Sequence, residues 1–144
     1  MKSFVLSLSL LAAALSPASA NPLEAREAQM KERGRLLGSL SPIVKGEQPY
    51  DASKVMDALE ALAANADADL QVLWPAGSDM GDTTASPKIW EDFSGFHAAD
   101  EKYRADIAAA IAANPQDAAA LAPVFGGIAS NCGGCHEVFR LKRG

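Results

Sequence analysis

Both cysteines of this chain stand near its C-terminus in one five-residue stretch, Cys132-Gly133-Gly134-Cys135-His136, which also holds one of only two histidines. That spacing is a demand on the backbone. On an α-helix, residues three and four apart are neighbours, so Cys132 adjoins both Cys135 and His136 on one face. A chain that uses the three together therefore has to deliver them on a helix.

The rest of the sequence reads as helical too. Alanine is abundant, β-branched residues are sparse, and apolar residues recur at helical rather than alternating spacing. A first helix spans about Leu23 to Lys45, with Leu23, Met30, Leu37, Leu40 and Val44 on one stripe, and Gly46 stops it. Asp51 is placed to cap a second helix, with Val55, Leu59 and Leu62 facing inward. "ADLQVLWPAGSDMGDTTASP" reads as one long loop. A third helix begins near Pro87, with Phe93, Phe96, Tyr103, Ile107 and Ile111 on its buried side. Asn114-Pro115 reads as the cap and first residue of a fourth helix carrying Leu121, Phe125, Ile128, Cys132, Cys135 and Phe139. Pro123 should bend that helix or delay its regular start. Four helices with mostly short connections predict an all-α, antiparallel four-helix bundle.

At the other end, Lys2, the apolar run Phe4–Leu15 and the small-x-small tripeptide Ala18-Ser19-Ala20 form an export signal, with cleavage expected after Ala20. Residues 21–144 are enough for one domain with one core. The formal charge of −5 disfavours nucleic acid, whose partners carry basic patches. Beyond the leader, no other apolar stretch reads as a membrane span. The expectation is a small exported periplasmic protein.

In an exported protein two cysteines can form a disulfide. A thioredoxin-like redox pair expects a βαβ setting, which is missing, and structural zinc needs about four ligands. C-x-x-C-H is also the signature of covalent haem attachment, and the helical setting and export signal favour that reading.

A C-terminal C-x-x-C-H on a last helix resembles the class II cytochromes c, specifically the cytochrome c′ family. "SPIVKGEQPYDA" at the first inter-helix turn, "PAGSDMGDT" with "PKIW" entering the third helix, and "CGGCHEVFR" carry the resemblance. It implies one covalent haem c per chain, with Cys132 and Cys135 as thioether attachments and His136 as the iron ligand. It matches Arg140 to a basic residue beside the proximal face, and Arg26 to an arginine that contacts a haem propionate. Glu27 stands where relatives usually carry glutamine; a carboxylate there either turns away from the propionates or is protonated. Asp82 and Thr83 match loop residues that approach the propionates.

Met30 matches the position facing the other side of the iron. In cytochromes c′ the residue there blocks the sixth site without binding, and the five-coordinate iron takes up NO or CO. In low-spin relatives of the cytochrome c-556 type a methionine there ligates the iron and suits electron transfer. The unbound thioether is the leading expectation, with the one-electron carrier as the alternative. A peroxidase needs a distal acid–base group, and the matched position offers only a thioether, so the chain is not expected to be an enzyme. Gly34 and Gly38 would permit close helix approach in a homodimer of the kind relatives form through their first two helices. His97, off the buried stripe, reads as a surface histidine, and Trp74 and Trp90 as packing residues.

Overall fold

In the computed structural model, residues 21–142 are described, so the export signal and its cleavage site lie outside the described residues. Six helices follow in order: α1 (Pro22–Val44), α2 (Ala52–Ala66), α3 (Leu70–Leu73), α4 (Lys88–Glu91), α5 (Phe93–Ala113) and α6 (Ala118–Phe139). Each long helix starts on a side-chain cap. Asn21 accepts from the Leu23 amide at 3.1 Å ahead of Pro22, and Asp51 from Lys54 at 3.2 Å. Asp92 serves Gly95 and Asp117 serves Ala120 in the same way.

Three boundaries differ from the sequence reading, each for a local reason. The long loop contains a helical turn, α3, capped by Asp69, and a second turn, α4, follows Pro87. The expected single third helix is interrupted at Asp92, whose extended φ of −134° ends α4 while its carboxylate caps α5. Gly95 is required there, because a Cβ would meet Asp92 Oδ2 at 2.6 Å. Asn114 does not cap α6; it closes α5 in the left-handed conformation, φ 42°, which asparagine tolerates better than most residues. Asp117 takes the capping role, and α6 runs through Pro123 without a delayed start. The Tyr50 hydroxyl donates to the Pro115 carbonyl, joining the α1–α2 and α5–α6 turns.

The four long helices form a ring: α1 packs on α2 and α6, and α5 packs on α2 and α6. Their core fills one half of the bundle only. Leu36, Leu40 and Ile43 of α1 meet Val55, Leu59 and Leu62 of α2, Tyr103, Ile107 and Ala110 of α5, and Leu121 and Ile128 of α6. These are the C-terminal halves of α1 and α5 against the N-terminal half of α6, which fixes the antiparallel arrangement. The other half holds a smaller aromatic cluster, Leu70, Trp74, Ile89, Phe96 and Phe139, with Cys135 packed against it. By length and composition α6 could cross a membrane, which the sequence reading had not recognised. Here it packs along α1 and α5.

Leu59 is fully buried in the core half. Leu59→Ala is expected to lower unfolding stability by about 2–5 kcal/mol, measured by urea titration, with the visible absorption spectrum unchanged.

Candidate functional site

Where the bundle lacks a core it has space. Two adjoining cavities, about 360 Å³ and about 200 Å³, share Met30, Trp74, Phe96, Cys135 and His136 as walls. Together they fall within the range of small-molecule sites, roughly 300–1,000 Å³. The larger is also lined by Leu23, Arg26, Glu27, Thr83, Phe139 and Arg140, and the smaller by Arg33, Gly34, Leu37, Tyr103 and Cys132.

The apolar stripe expected along α1 therefore has two uses. Leu40 is core, and Val44 packs beside it, whereas Leu23, Met30 and Leu37 face the cavities. Met30 stands on the wall that the two cavities share. A Cβ on Gly34, one turn on, would meet nothing within 4 Å. Cys132 and Cys135 are free thiols on α6. Burial pushes the Cys135 thiol up, and Asp100 adds to this. Burial also lowers the proton affinity of His136, and the nearby charges of Arg140 and Arg33 lower it further, so the imidazole is neutral and able to donate its lone pair near pH 7.

Arg26 is the strongest electrostatic feature. It is 4% exposed, yet no carboxylate lies within 4 Å of it among the described residues. Its guanidinium sits over Trp74 at 4.4 Å and Trp90 at 5.9 Å. It donates to the Ser78 carbonyl at 2.8 Å, which pins the loop whose Pro75 carbonyl also accepts from Trp90 Nε1 at 3.0 Å. A cation this deep is costly without an anion. Among the described residues, the buried side-chain polar atoms without a partner, Arg26 Nε, Trp74 Nε1 and the Tyr103 hydroxyl, all belong to residues lining these cavities. A group with carboxylates at the Arg26 end and apolar body between Met30, Trp74 and Phe96 answers this arrangement, and haem c is such a group.

The strap 84–86 crosses the end of α6: Leu141 donates to the Thr84 carbonyl at 2.8 Å and Ser86 to that of Phe139 at 3.0 Å. Arg140 Nε reaches Thr84 Oγ1 at 3.4 Å. This places Thr83, Thr84 and Arg140 along the larger cavity. Of the residues picked out in the sequence, Arg26, Glu27, Met30, Thr83, Cys132, Cys135, His136 and Arg140 line the two cavities, and Asp82 does not. Glu27 is exposed at the rim. His97 is at the surface, 3.9 Å from Glu101. Trp74 is more than packing, since it walls both cavities. Arg33, Asp100 and Thr84 were missed; Arg33 stands one turn after Met30, and that register was the available signal.

The profile of the family described as cytochrome C′ matches residues 21–140. The cytochrome c-556 of Agrobacterium fabrum is 38% identical over 87% of this chain and 84% of its own. A solved cytochrome c′ from Rhodobacter sphaeroides superposes with a TM-score of 0.80 at 29% identity, over 88% of this chain and 100% of its own. A leucine-to-alanine mutant of cytochrome c′ from Alcaligenes xylosoxidans, solved as its nitric oxide complex, gives a TM-score of 0.77 at 26% identity, over 87% and 97% of the two chains.

Because Arg140 contributes to the low proton affinity of His136, Arg140→Leu is expected to raise the imidazole pKa of the haem-free polypeptide toward 6.5, read by NMR titration. The sign for stability follows. A lowered folded-state pKa means the unfolded chain binds more protons, so the haem-free fold weakens as pH falls below about 6.5, and less so in the Arg140 variant.

Proposed function

The chain belongs to the cytochrome c′ family, and we propose that it is a periplasmic haem protein whose five-coordinate iron, held by His136, takes up NO or CO. Proteins of this family carry covalently attached haem c. Cys132 and Cys135 would hold it as thioethers, with Arg26 toward the propionates. Thr83 and Arg140 line the same end. When bound, the group would supply an iron able to take up a diatomic ligand.

What the chain's own residues do is narrower. His136 is kept neutral and can donate its lone pair. Trp74, Phe96 and Phe139 keep the interior apolar and limit water. Met30 stands on the wall common to both cavities, and its support carries the reading. Gly34, one turn on, places no side chain beside it to brace it. Methionine has three rotatable bonds to fix. A loosely braced thioether suits a plug that an entering ligand pushes aside better than a permanent ligand.

A specific observation favours the second reading. The relative from Agrobacterium fabrum is named a cytochrome c-556, and for that type the family resemblance implies a methionine ligand at this position. Under that reading the protein is a low-spin one-electron carrier with Met30 as sixth ligand.

The purified protein is expected to show a high-spin ferric spectrum and to take up CO when reduced. A low-spin spectrum without CO uptake, converted to high spin by Met30→Ala, would establish the electron carrier instead. Mass spectrometry gives an independent check on attachment. The protein should carry the mass of polypeptide plus one haem, and replacing Cys132 and Cys135 by Ser should leave a colourless chain.

A further inference from the structure

The smaller cavity has a polar wall that the proposed cofactor contacts leave unused. Thioether attachment would engage Cys132 and Cys135, and the carboxylate end belongs with Arg26, which lines only the larger cavity. On the far wall, at the Cys132 end, stand Arg33, Asp100 and Tyr103, all largely buried. An apolar macrocycle edge gives these groups nothing to bond.

Arg33 is the less tightly paired of two neighbouring guanidiniums. Asp100 Oδ2 accepts from Arg104 Nε at 2.7 Å, a close charge-assisted bond, and Arg104 also lies 3.6 Å from Asp67. The Asp100 carboxylate is 3.7 Å from Arg33 Nη1, and that long pair is the ion pair Arg33 makes among the described residues. The remaining contacts of Arg33 are neutral: its Nε donates to Asn65 Oδ1 at 3.0 Å, and its guanidinium lies over the Tyr103 ring at 4.4 Å. The Arg33 side chain is only 12% exposed, so water screens little of its charge. Tyr103 beside it is 4% exposed with an unpartnered hydroxyl, which burial holds protonated, its pKa pushed up to about 12.

The whole lining leans the same way. Arg26, Lys31, Arg33 and Arg140 are cations, against Glu27 and Asp100 as anions. Two propionates would offset the excess at the Arg26 end. At the other end Arg33 faces Asp100 across 3.7 Å.

We propose that Arg33 is a specificity-determining residue that lets this cavity hold a small anion with a nitrogen or oxygen donor, of the nitrite class, in addition to neutral diatomic gases. The proposal deepens the reading of an iron open on its sixth side, and rests on it. Arg33 acts through its field and by donating hydrogen bonds to the anion; Asp100 and Asn65 position it.

The test uses the haem-loaded protein carrying Met30→Ala, so that the sixth position is free whether or not Met30 ligates the iron. Azide is titrated into the ferric form and CO into the ferrous form, both followed by visible absorption. Arg33→Gln should weaken azide roughly tenfold while CO changes by less than about twofold, the scale of one partly buried charge interaction. Arg33→Lys, which keeps the charge, should retain azide affinity within about threefold. Equal losses for azide and CO, equal losses in the Gln and Lys variants, or no azide uptake in any of them would overturn the proposal. Should Arg33→Gln fail to accumulate, Asp100→Asn decides: removing the negative partner should tighten azide, and an unchanged affinity sinks the idea. Failure of the open-site reading itself is seen separately, as a low-spin spectrum of the protein with Met30 intact.

Discussion

A bundle cored at one end and open at the other has to keep the open end apart, and here that task falls on a buried cation clamped by aromatic rings. Arg26 lies over Trp74, with Trp90 packed beside that ring, and donates to the Ser78 carbonyl, so α1, the loop 75–78 and the entry to α4 are tied at one point. Trp74 stands edge-on to Phe96 with centroids 5.0 Å apart, and Phe96 in turn to Phe139 at 5.3 Å. Those contacts carry the constraint across to α5 and the end of α6, beside Cys135 and His136. Aromatic pairs of this kind add about 0.5–1.5 kcal/mol each beyond their buried area. The rings set the cavity's width while the arginine sets its charge.

The charge pattern separates surface from interior. The chain is acidic as a whole, but the cavity walls carry more cations than anions. An acidic surface slows the approach of anions, so a positive interior would act on residence rather than on encounter. A group with two carboxylates satisfies most of that interior. This is why buried Arg26, without a carboxylate within 4 Å, is better evidence for the cofactor's polar edge than any loop residue.

The cysteine–histidine face was legible because it depends only on helical spacing, and α6 presents it as that spacing requires. The four long helices were legible from apolar period. Asn114-Pro115 was misread because the same two residues can open a helix or close one; here Asn114 takes the left-handed conformation that ends α5, and Asp117 supplies the cap of α6. The α1 stripe was seen as one surface, whereas Leu36 and Ile43, which the stripe omitted, join Leu40 in the core while Leu23 and Met30 face open space. Periodicity reports that a face is apolar; it does not report what lies opposite. The Arg33–Asp100–Tyr103 wall was invisible for the same reason. Arg33 and Arg104 look like ordinary solvated helix charges until α1 and α5 bring them to a single carboxylate.

The relatives include both a cytochrome c-556 and a cytochrome c′, and in the proposed reading Met30 is where the two types part. Ligation by a thioether gains a bond to iron but fixes a flexible side chain, at a cost of about 1.5–2 kcal/mol for residues of this kind. That cost depends on bracing. A bulky residue one turn along would hold the thioether in place before it bonds, and Gly34 leaves it unheld. A difference of about 1.4 kcal/mol changes the ratio of bound to unbound sulfur tenfold. Gas binder and electron carrier can therefore share helices, cap residues, attachment motif and buried arginine, and diverge through packing around one methionine. In this chain Gly34 withholds a brace at helical spacing, which fits the unbound thioether proposed above.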